Sequence, residues 1–382
     1  MLSTGTLRRT DHAPFRGRSR TVGVDTTGRR LRVVFVFRWP GRNEQSIERL
    51  FTAVAARMPP WIEVVPYTLS AKWLDLRDVV RLRRLRADVY HVTGDCHQIA
   101  WFLPPDRTVV TVHDMIHVLH DLRGLRQLLF RWLWFDGPLA RVAAITAISE
   151  ATRRDLYEHC PTLRRRRIDV VPNCVPPLPE PIPKPFDPVQ PVILQVGTAP
   201  HKNLHRVVQA LNGIRCRLVV VGPLRNGQES LLAGADFEVD ARGRVSDEGL
   251  GQAYREADIV VFASLREGFG LPILEAQAMG RPLVTSDRSP MREVAGGAAV
   301  LVDPEDVASI RGGIVRLIEE AELRAHVVAR GFDNVRRYRP ERIAARYAEV
   351  YARITNGAFA PGVSPLPCRP TLHPPGLEDN GR

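Results

Sequence analysis

Lysine is nearly missing from this chain. The 54 basic residues include three lysines (Lys72, Lys184, Lys202), which leaves 51 arginines, and no lysine lies beyond Lys202. Cysteine is also sparse. The five cysteines (Cys96, Cys160, Cys174, Cys216, Cys368) form no C-x-x-C pair. That argues against a disulfide framework or a zinc site and fits a reducing compartment. No run of eighteen apolar residues occurs, so no membrane-spanning helix is expected. The basic N-terminus lacks an apolar segment, so no secretory signal is expected. No Asp-x-Asp triplet is present.

The chain has 382 residues, more than one core comfortably fills, so two domains plus tails is the starting expectation. Hydrophobic content of 44% and charged content of 25% are those of an ordinary soluble globular protein. The net charge of +12 admits nucleic acid, anionic lipid or phosphorylated ligands as partners. It equally admits a solvated, arginine-biased surface with no partner at all.

Residues 1–30 carry Gly, Ser, Thr and Arg without apolar periodicity and read as a disordered basic arm. Short apolar runs then alternate with helical patterns. Strands are expected at 31–37, 87–94, 108–114 and 142–149, with an amphipathic helix at 46–58. Apolar runs separated by helices indicate a parallel sheet covered on both faces. Eight prolines in residues 173–191 exclude a helix or central strand and mark a stiff linker. A second alternating series follows. Its strands are expected at 192–197, 216–222, 237–240, 258–264, 281–286 and 298–304, with helices at 203–211, 247–256, 272–279, 305–320 and 340–354. Two doubly wound units joined by a linker face each other across a cleft at their strand C-termini, where ligands bind. The expected boundaries are 31–172, the linker 173–191, 192–338, a helix in 339–356 that crosses back to the first unit, and a disordered tail at 357–382.

The stretch "REGFGLPILEAQAMGRP" (266–282) carries most of the chemistry. Gly268 and Gly270 permit a tight turn and close approach to a ligand, and Pro272 suits the first turn of a helix. That helix start presents free N–H groups and a positive dipole end, which suits an anion. Glu267 and Glu275 flank the turn as acceptor-only groups, so phosphate and hydroxyls on one ligand would both be met. Nucleotide-sugars are such ligands. A bland alternative stays open, with Glu275 capping the helix and Glu267 solvated.

The same stretch, extended to Asp306, resembles the donor-binding region of family 4 retaining glycosyltransferases of the GT-B fold, whose E-x7-E motif corresponds to Glu267 and Glu275. "GRVSDEGLGQAYREADIVVFAS" (243–264), "VGTAPHKNLHRVVQAL" (196–211), "VHD" (112–114), "TAISEATRRDL" (146–156) and "VVPNCV" (170–175) are also similar to that family. The resemblance spans residues 31–356. It implies an α/β GT-B fold with two Rossmann-like domains, and a hexosyltransferase using a UDP- or GDP-sugar donor as substrate, with no separate cofactor and no metal.

Residue by residue, the resemblance implies that Glu275 accepts from the ribose hydroxyls and Glu267 from hydroxyls of the transferred sugar. The backbone of Gly268, Phe269, Gly270 and Leu271 would meet the sugar and diphosphate, Lys202 would neutralise the leaving diphosphate, and Val245 would contact the base. His113, at a strand end, would contact the sugar near the reacting carbon. Gly41 would allow close approach in the loop after the first strand. Lys202 as an exposed helix-start lysine and His113 as a structural hydrogen-bonder remain alternatives, and Glu44 is either an acceptor-side group or a helix-start acid. Asp114 reads as structural, orienting His113 or capping the next element. One departure stands out: many family members have an arginine directly after the strand glycine, where this chain has Thr198, with His201 and Arg266 as basic residues nearby.

The expected partners are a nucleotide-sugar donor and a glycan or lipid-linked acceptor, in polysaccharide biosynthesis. The expected place is the cytoplasm or the inner face of the membrane, with peripheral contact to anionic lipid through "RLRRLR" (81–86), "LRRRR" (163–167) and "LLFRWLWF" (128–135). For the aromatics, packing in the core is the preferred expectation. Rival readings are an epimerase-like GT-B enzyme, a phosphorylase, which would need a pyridoxal-phosphate lysine, a non-catalytic nucleotide-sugar binder, and a nucleic-acid binder resting on charge alone.

Overall fold

The computed structural model describes residues 29–39, 46–71, 75–116, 118–119, 122–356 and 358–359. The sequence expectations for the basic arm, the tail, Gly41 and Glu44 fall almost wholly outside these residues.

The first unit is a six-stranded parallel sheet: β1 (Leu31–Phe37), β2 (Ile62–Thr68), β3 (Val89–Val92), β4 (Thr108–Val112), β5 (Ala144–Ala147) and β6 (Ile168–Val170), in the order β2-β1-β3-β4-β5-β6. β2 escapes the sequence reading because Pro66 interrupts its pattern. It is tolerated because β2 is an edge strand, where the missing N–H faces away from the sheet. The central strands β3, β4 and β5 are buried along their whole length, as a sheet covered on both faces requires.

The second unit repeats the plan with β7 (Val192–Val196), β8 (Arg217–Val221), β9 (Glu238–Gly243), β10 (Ile259–Phe262), β11 (Leu283–Ser286) and β12 (Val300–Val302), in the order β12-β11-β10-β7-β8-β9. The order reverses beside β7, and parallel sheets open their ligand crevices at such a switch point. Helices Val307–Glu319 and Ala321–Val335 cover this sheet, and the second of them is not distinguished in the sequence.

Helix Pro340–Ile354 packs on the first sheet, with Ile343, Ala344, Tyr347, Ala348 and Tyr351 in one core with Phe35, Phe51 and Val109. A buried polar network fixes it. His91 Nδ1 lies 2.7 Å from the Tyr351 hydroxyl, His91 Nε2 lies 2.7 Å from Thr111 Oγ1, and Thr111 Oγ1 lies 3.2 Å from the Tyr347 hydroxyl. Burial holds the His91 imidazole down to about 3, so it is neutral and its ring nitrogens are fully used in the network.

Residues 173–191 have no regular structure; Cys174 still packs in the first unit's core, and Val175 and Phe186 pack against the second. Lys184 pairs with the buried Asp258 at 2.6 Å and donates to the Glu256 carbonyl at 2.9 Å. Arg281 donates to the Ile182 carbonyl.

The aromatic stretch keeps the core expectation for Phe130, Trp134 and Phe135, which lie in or against the first unit's core, and departs from it at Trp132. Phe135 is buried, but helix Gly124–Arg131 buries no residue at all. Leu125 is 84% exposed, Leu129 59% and Trp132 52%. A π-wound turn at Trp132–Asp136 follows this helix. Phe130 stacks on Trp134 and Trp101 packs on Trp132, so the exposed leucines sit beside an aromatic rim. Among the described residues no helix is long and apolar enough to cross a membrane.

Candidate active site

In both sheets the strands run parallel, so each unit collects its strand-end loops on one edge. The two edges meet. A Cβ built on Gly268, after β10, would lie 2.5 Å from the His113 carbonyl oxygen and 2.9 Å from Asp114 Cβ, after β4. Thr152 Oγ1 donates to the His113 carbonyl at 3.2 Å and lies 3.5 Å from that of Gly268. Further along the cleft Arg49 pairs with Asp247 and donates to the Pro177 carbonyl at 3.4 Å, and Arg154 donates to Ser289 Oγ at 2.7 Å.

The turn before helix Leu271–Ala278 is built as its glycines suggest. Gly270 has φ of 102°, which only glycine adopts without strain, and it is the N-cap. Phe269 points inward, packing edge-on to Tyr338 with ring centroids 5.9 Å apart, so only its backbone is offered to a ligand. Leu271 contacts the cores of both units. Glu275 is buried, and its Oε2 accepts from the Tyr254 hydroxyl at 2.6 Å. Burial raises the Glu275 carboxyl; the Tyr254 hydrogen bond and then the charges of Arg49 and Lys202 oppose that rise. A capped-helix role for Glu275 does not fit this geometry, because its carboxylate meets a tyrosine rather than the first-turn amides.

Lys202 ends the short turn Pro200–Lys202 after β7. Its Nζ lies 2.6 Å from Glu267 Oε1 and 4.8 Å from the centre of the Phe262 ring. Two neighbours aim it there. Gly197, with φ of 90°, leaves room for the lysine stem, which a Cβ would approach at 3.1 Å. Asn203, in the left-handed region with φ of 65°, is buried and donates to the carbonyls of Ala263 and Pro304. Leu265 N–H donates to the His201 carbonyl at 2.8 Å, tying the Glu267 loop to the lysine turn. The structure therefore unites Lys202 and Glu267 and makes Lys202 more than a solvated helix-start residue.

His113 donates through Nε2 to the Thr93 carbonyl at 2.8 Å, with the proton assigned to Nε2 because that acceptor is a carbonyl. Burial lowers it to about 4, opposed by the Thr93 bond, and His97 and Arg38 lower it further. It is a neutral imidazole with Nδ1 as its remaining polar atom. Asp114 accepts from Ile116 N–H at 3.0 Å and so caps the next element. Val245 follows β9 and packs against the second unit's core beside Gly249.

Thr198 is 3% exposed and faces away from Lys202, donating to the Pro223 carbonyl at 2.5 Å. Burial holds the His201 imidazole below its usual range, with Glu267 opposing and Lys202, Arg266 and Arg225 adding to the depression. Arg49 and Tyr254, which touch or approach Glu275, were not legible in sequence: each acts through a partner far away in the chain. Among the described residues no group of three or more His, Cys, Asp or Glu side chains is arranged to hold a metal.

This is the GT-B arrangement: two facing parallel-sheet domains with strand-end loops across a cleft. Sucrose-phosphate synthase from Thermosynechococcus elongatus superposes with a TM-score of 0.65 at 16% identity, covering 86% of this chain and all of that one. Anabaena HepE, solved in complex with UDP and glucose, gives 0.63 at 15% identity, covering 85% and 100%. A family profile described as "Glycosyltransferase Family 4" matches residues 28–177, and one described as "Glycosyl transferases group 1" matches residues 190–320. The chain belongs to glycosyltransferase family 4. Among curated relatives, a phosphatidyl-myo-inositol mannosyltransferase from Mycobacterium leprae is 33% identical over 42% of this chain and 45% of its own length. O-antigen chain mannosyltransferase B from Escherichia coli is 36% identical over 28% and 29%. The matches thus span less than half the length of these two relatives.

Proposed function

We propose that this protein is a retaining, metal-independent glycosyltransferase that moves a mannosyl or related hexosyl group from a GDP- or UDP-sugar to a lipid-linked or glycan acceptor. The observation that carries the reading is the convergence at Gly268. There the turn bearing Glu267, Lys202 and the helix start meets His113 from the opposite unit. The mannosyl choice draws on the two mannosyltransferase relatives.

In this reading Glu275 accepts from the ribose hydroxyls. Glu267 accepts from the sugar hydroxyls, and the backbone of Gly268, Phe269, Gly270 and Leu271 meets the sugar and diphosphate. Negative charge develops on the departing diphosphate, and the Lys202 ammonium with the amides of the helix start stabilises it. Early departure leaves an oxocarbenium-like sugar. The departing phosphate oxygen is then the nearest base for an acceptor hydroxyl on the same face, which retains the configuration. His113, neutral and held by Thr93, offers its ring to the sugar rather than a charge.

The exposed face of helix Gly124–Arg131 supports a lipid-linked acceptor. Leu125, Leu128, Leu129 and Trp132 stand in solvent with Arg123 and Arg126 on the same helix entry, a composition that suits an anionic membrane surface. Sedimentation with phosphatidylglycerol vesicles, lost in a Leu129→Ser/Trp132→Ser variant and absent with phosphatidylcholine, is the expected result.

The deciding experiment is NMR of the first-formed product from an α-linked donor, in the presence of excess EDTA. An α product under EDTA supports both the retaining and the metal-free parts. A β product removes the first, and activity that EDTA abolishes and manganese or magnesium restores removes the second.

A further inference from the structure

The ion pair between Lys202 and Glu267 leaves the lysine's charge partly neutralised before any ligand arrives. A nucleoside diphosphate carries at least two negative charges, and one paired ammonium does not balance them. Thr198 is uncharged, and its hydroxyl donates to the Pro223 carbonyl.

The loop that Thr198 grips does carry one. β7 and β8 are adjacent parallel strands, so the turns leaving their C-terminal ends lie side by side. Gly222, with φ of 134°, lets them touch: a Cβ there would lie 3.4 Å from Thr198 Cγ2 and 3.5 Å from Gly197 Cα. Gln228 then stitches the two turns together. Its Nε2 donates to the Thr198 carbonyl at 2.7 Å, and its Oε1 accepts from the Arg225 N–H at 2.8 Å. Gly222 N–H is held by the Gly243 carbonyl at 2.6 Å. The backbone of Arg225 is thereby fixed from three sides. Its guanidinium is exposed and, among the described residues, has no acidic or hydrogen-bonding partner. Its charge, like that of Arg266, adds to the depression of the imidazole of His201, the neighbour of Lys202.

We propose that Arg225 is a diphosphate-binding residue that supplies the second cation of the donor site, and that Thr198 and Gln228 are the positioning residues that hold its loop. Guanidinium meets phosphate through two parallel N–H donors, so a fixed backbone and a free side chain are what the task needs. Arg266 also acts on His201, and its neighbours Leu265 and Glu267 are tied to the lysine turn, so it is the rival cation that the test includes.

The inference rests on the nucleotide-sugar reading, and the test separates the two. Binding of UDP, GDP, uridine and guanosine is measured by calorimetry or ligand-observed NMR on the full chain, for wild type, Arg225→Ala, Arg225→Lys and Arg266→Ala. The expected result is a loss of at least tenfold in diphosphate affinity for Arg225→Ala, partial recovery in Arg225→Lys, and nucleoside affinity unchanged within twofold. Thr198→Val, which keeps size and removes the donor to Pro223, should lower diphosphate affinity in the same direction but less. Equal affinity in wild type and Arg225→Ala overturns the inference and leaves the donor reading intact. So does a loss that falls on Arg266→Ala instead, or one that diphosphate and nucleoside share equally. Wild type that binds neither diphosphate sinks the donor reading and this inference with it.

Discussion

Lys202 Nζ and Glu267 Oε1 stand 2.6 Å apart, each largely shielded from solvent, and they come from the loops after β7 and β10. Each residue therefore keeps the other in place before a donor binds. Removing either leaves a half-buried charge without its partner, a larger loss than an exposed pair would give.

Lys202→Ala is expected to lower turnover at least tenfold, because the proposed reading gives its charge to the leaving diphosphate. Glu267→Gln should also lower it, and the double variant should lose less than the product of the two single losses, since the residues act as a unit. Steady-state kinetics on all three variants checks this. Full activity in Lys202→Ala would assign the leaving-group charge to another cation.

Glu275 is expected to trade stability for binding. Burial raises its carboxyl pKa, so the folded state holds the proton more tightly than the unfolded chain does. The sign follows: stability is greatest below the unfolded pKa and falls as pH rises through the raised folded value. Glu275→Gln keeps an acceptor for Tyr254 and removes the charge, so its Tm at pH 7 should rise. The same change, and Glu275→Ala more strongly, should weaken donor affinity by about 2–3 kcal/mol, the scale for losing hydrogen bonds to a charged group. Thermal unfolding and donor titration on the same samples decide it. Donor affinity equal to wild type in the folded variant would remove Glu275 from the site.

Two histidines should set part of the acid sensitivity. His91 is held at about 3 and His113 at about 4, both mainly by burial. In the unfolded chain each titrates near 6.5. Above that value neither contributes a pH dependence. Below it the unfolded state takes up protons that the folded state refuses, so stability falls as pH drops from about 6.5 towards the folded values and then levels off. Ring-proton NMR of the folded protein should show both imidazoles neutral at pH 5.5. A His113 midpoint near 6.5 would mean that its environment is wetter than the packing against Phe51 and Thr93 implies.

The sequence made the strands legible where apolar runs were long and unbroken, and the helices where periodicity was clean. Leu31–Phe37, Asp247–Glu256 and Pro340–Ile354 begin and end where the pattern places them. It was blind to β2, since a proline in a strand is acceptable only at an edge, and edge position is a property of the sheet. It did not mark helix Gly124–Arg131, whose leucines stand in solvent while Phe130, Trp134 and Phe135 pack inward. In the candidate site, the Gly268–Gly270 turn and the helix start were legible from local chemistry, whereas Lys202 and Glu275 were singled out through the family resemblance. Tyr254, Arg49 and Thr152 were not, because each matters through a contact more than twenty residues away or across the cleft.

Gly268 offers the sharpest test of how the two units cooperate. Its φ is not in the left-handed region, so an alanine there strains no backbone. What forbids a side chain is the opposite unit: the added Cβ would sit 2.5 Å from the His113 carbonyl oxygen, which is main chain and cannot swing aside. The only relief is to move the two edges apart by a fraction of an ångström or more. The proposed reading assigns the nucleotide mainly to the second unit, so Gly268→Ala should bind UDP or GDP within about threefold of wild type. The proposed reaction sets His113 beside the sugar, and small misplacements of reacting groups cost on the order of a hundredfold. Turnover should therefore fall at least tenfold while nucleotide affinity holds, and small-angle scattering with bound nucleotide should show a more open molecule than wild type. If Gly268→Ala instead loses nucleotide binding and keeps its scattering profile, the glycine serves the diphosphate rather than the closure. Full turnover would mean that the units do not come this close during catalysis.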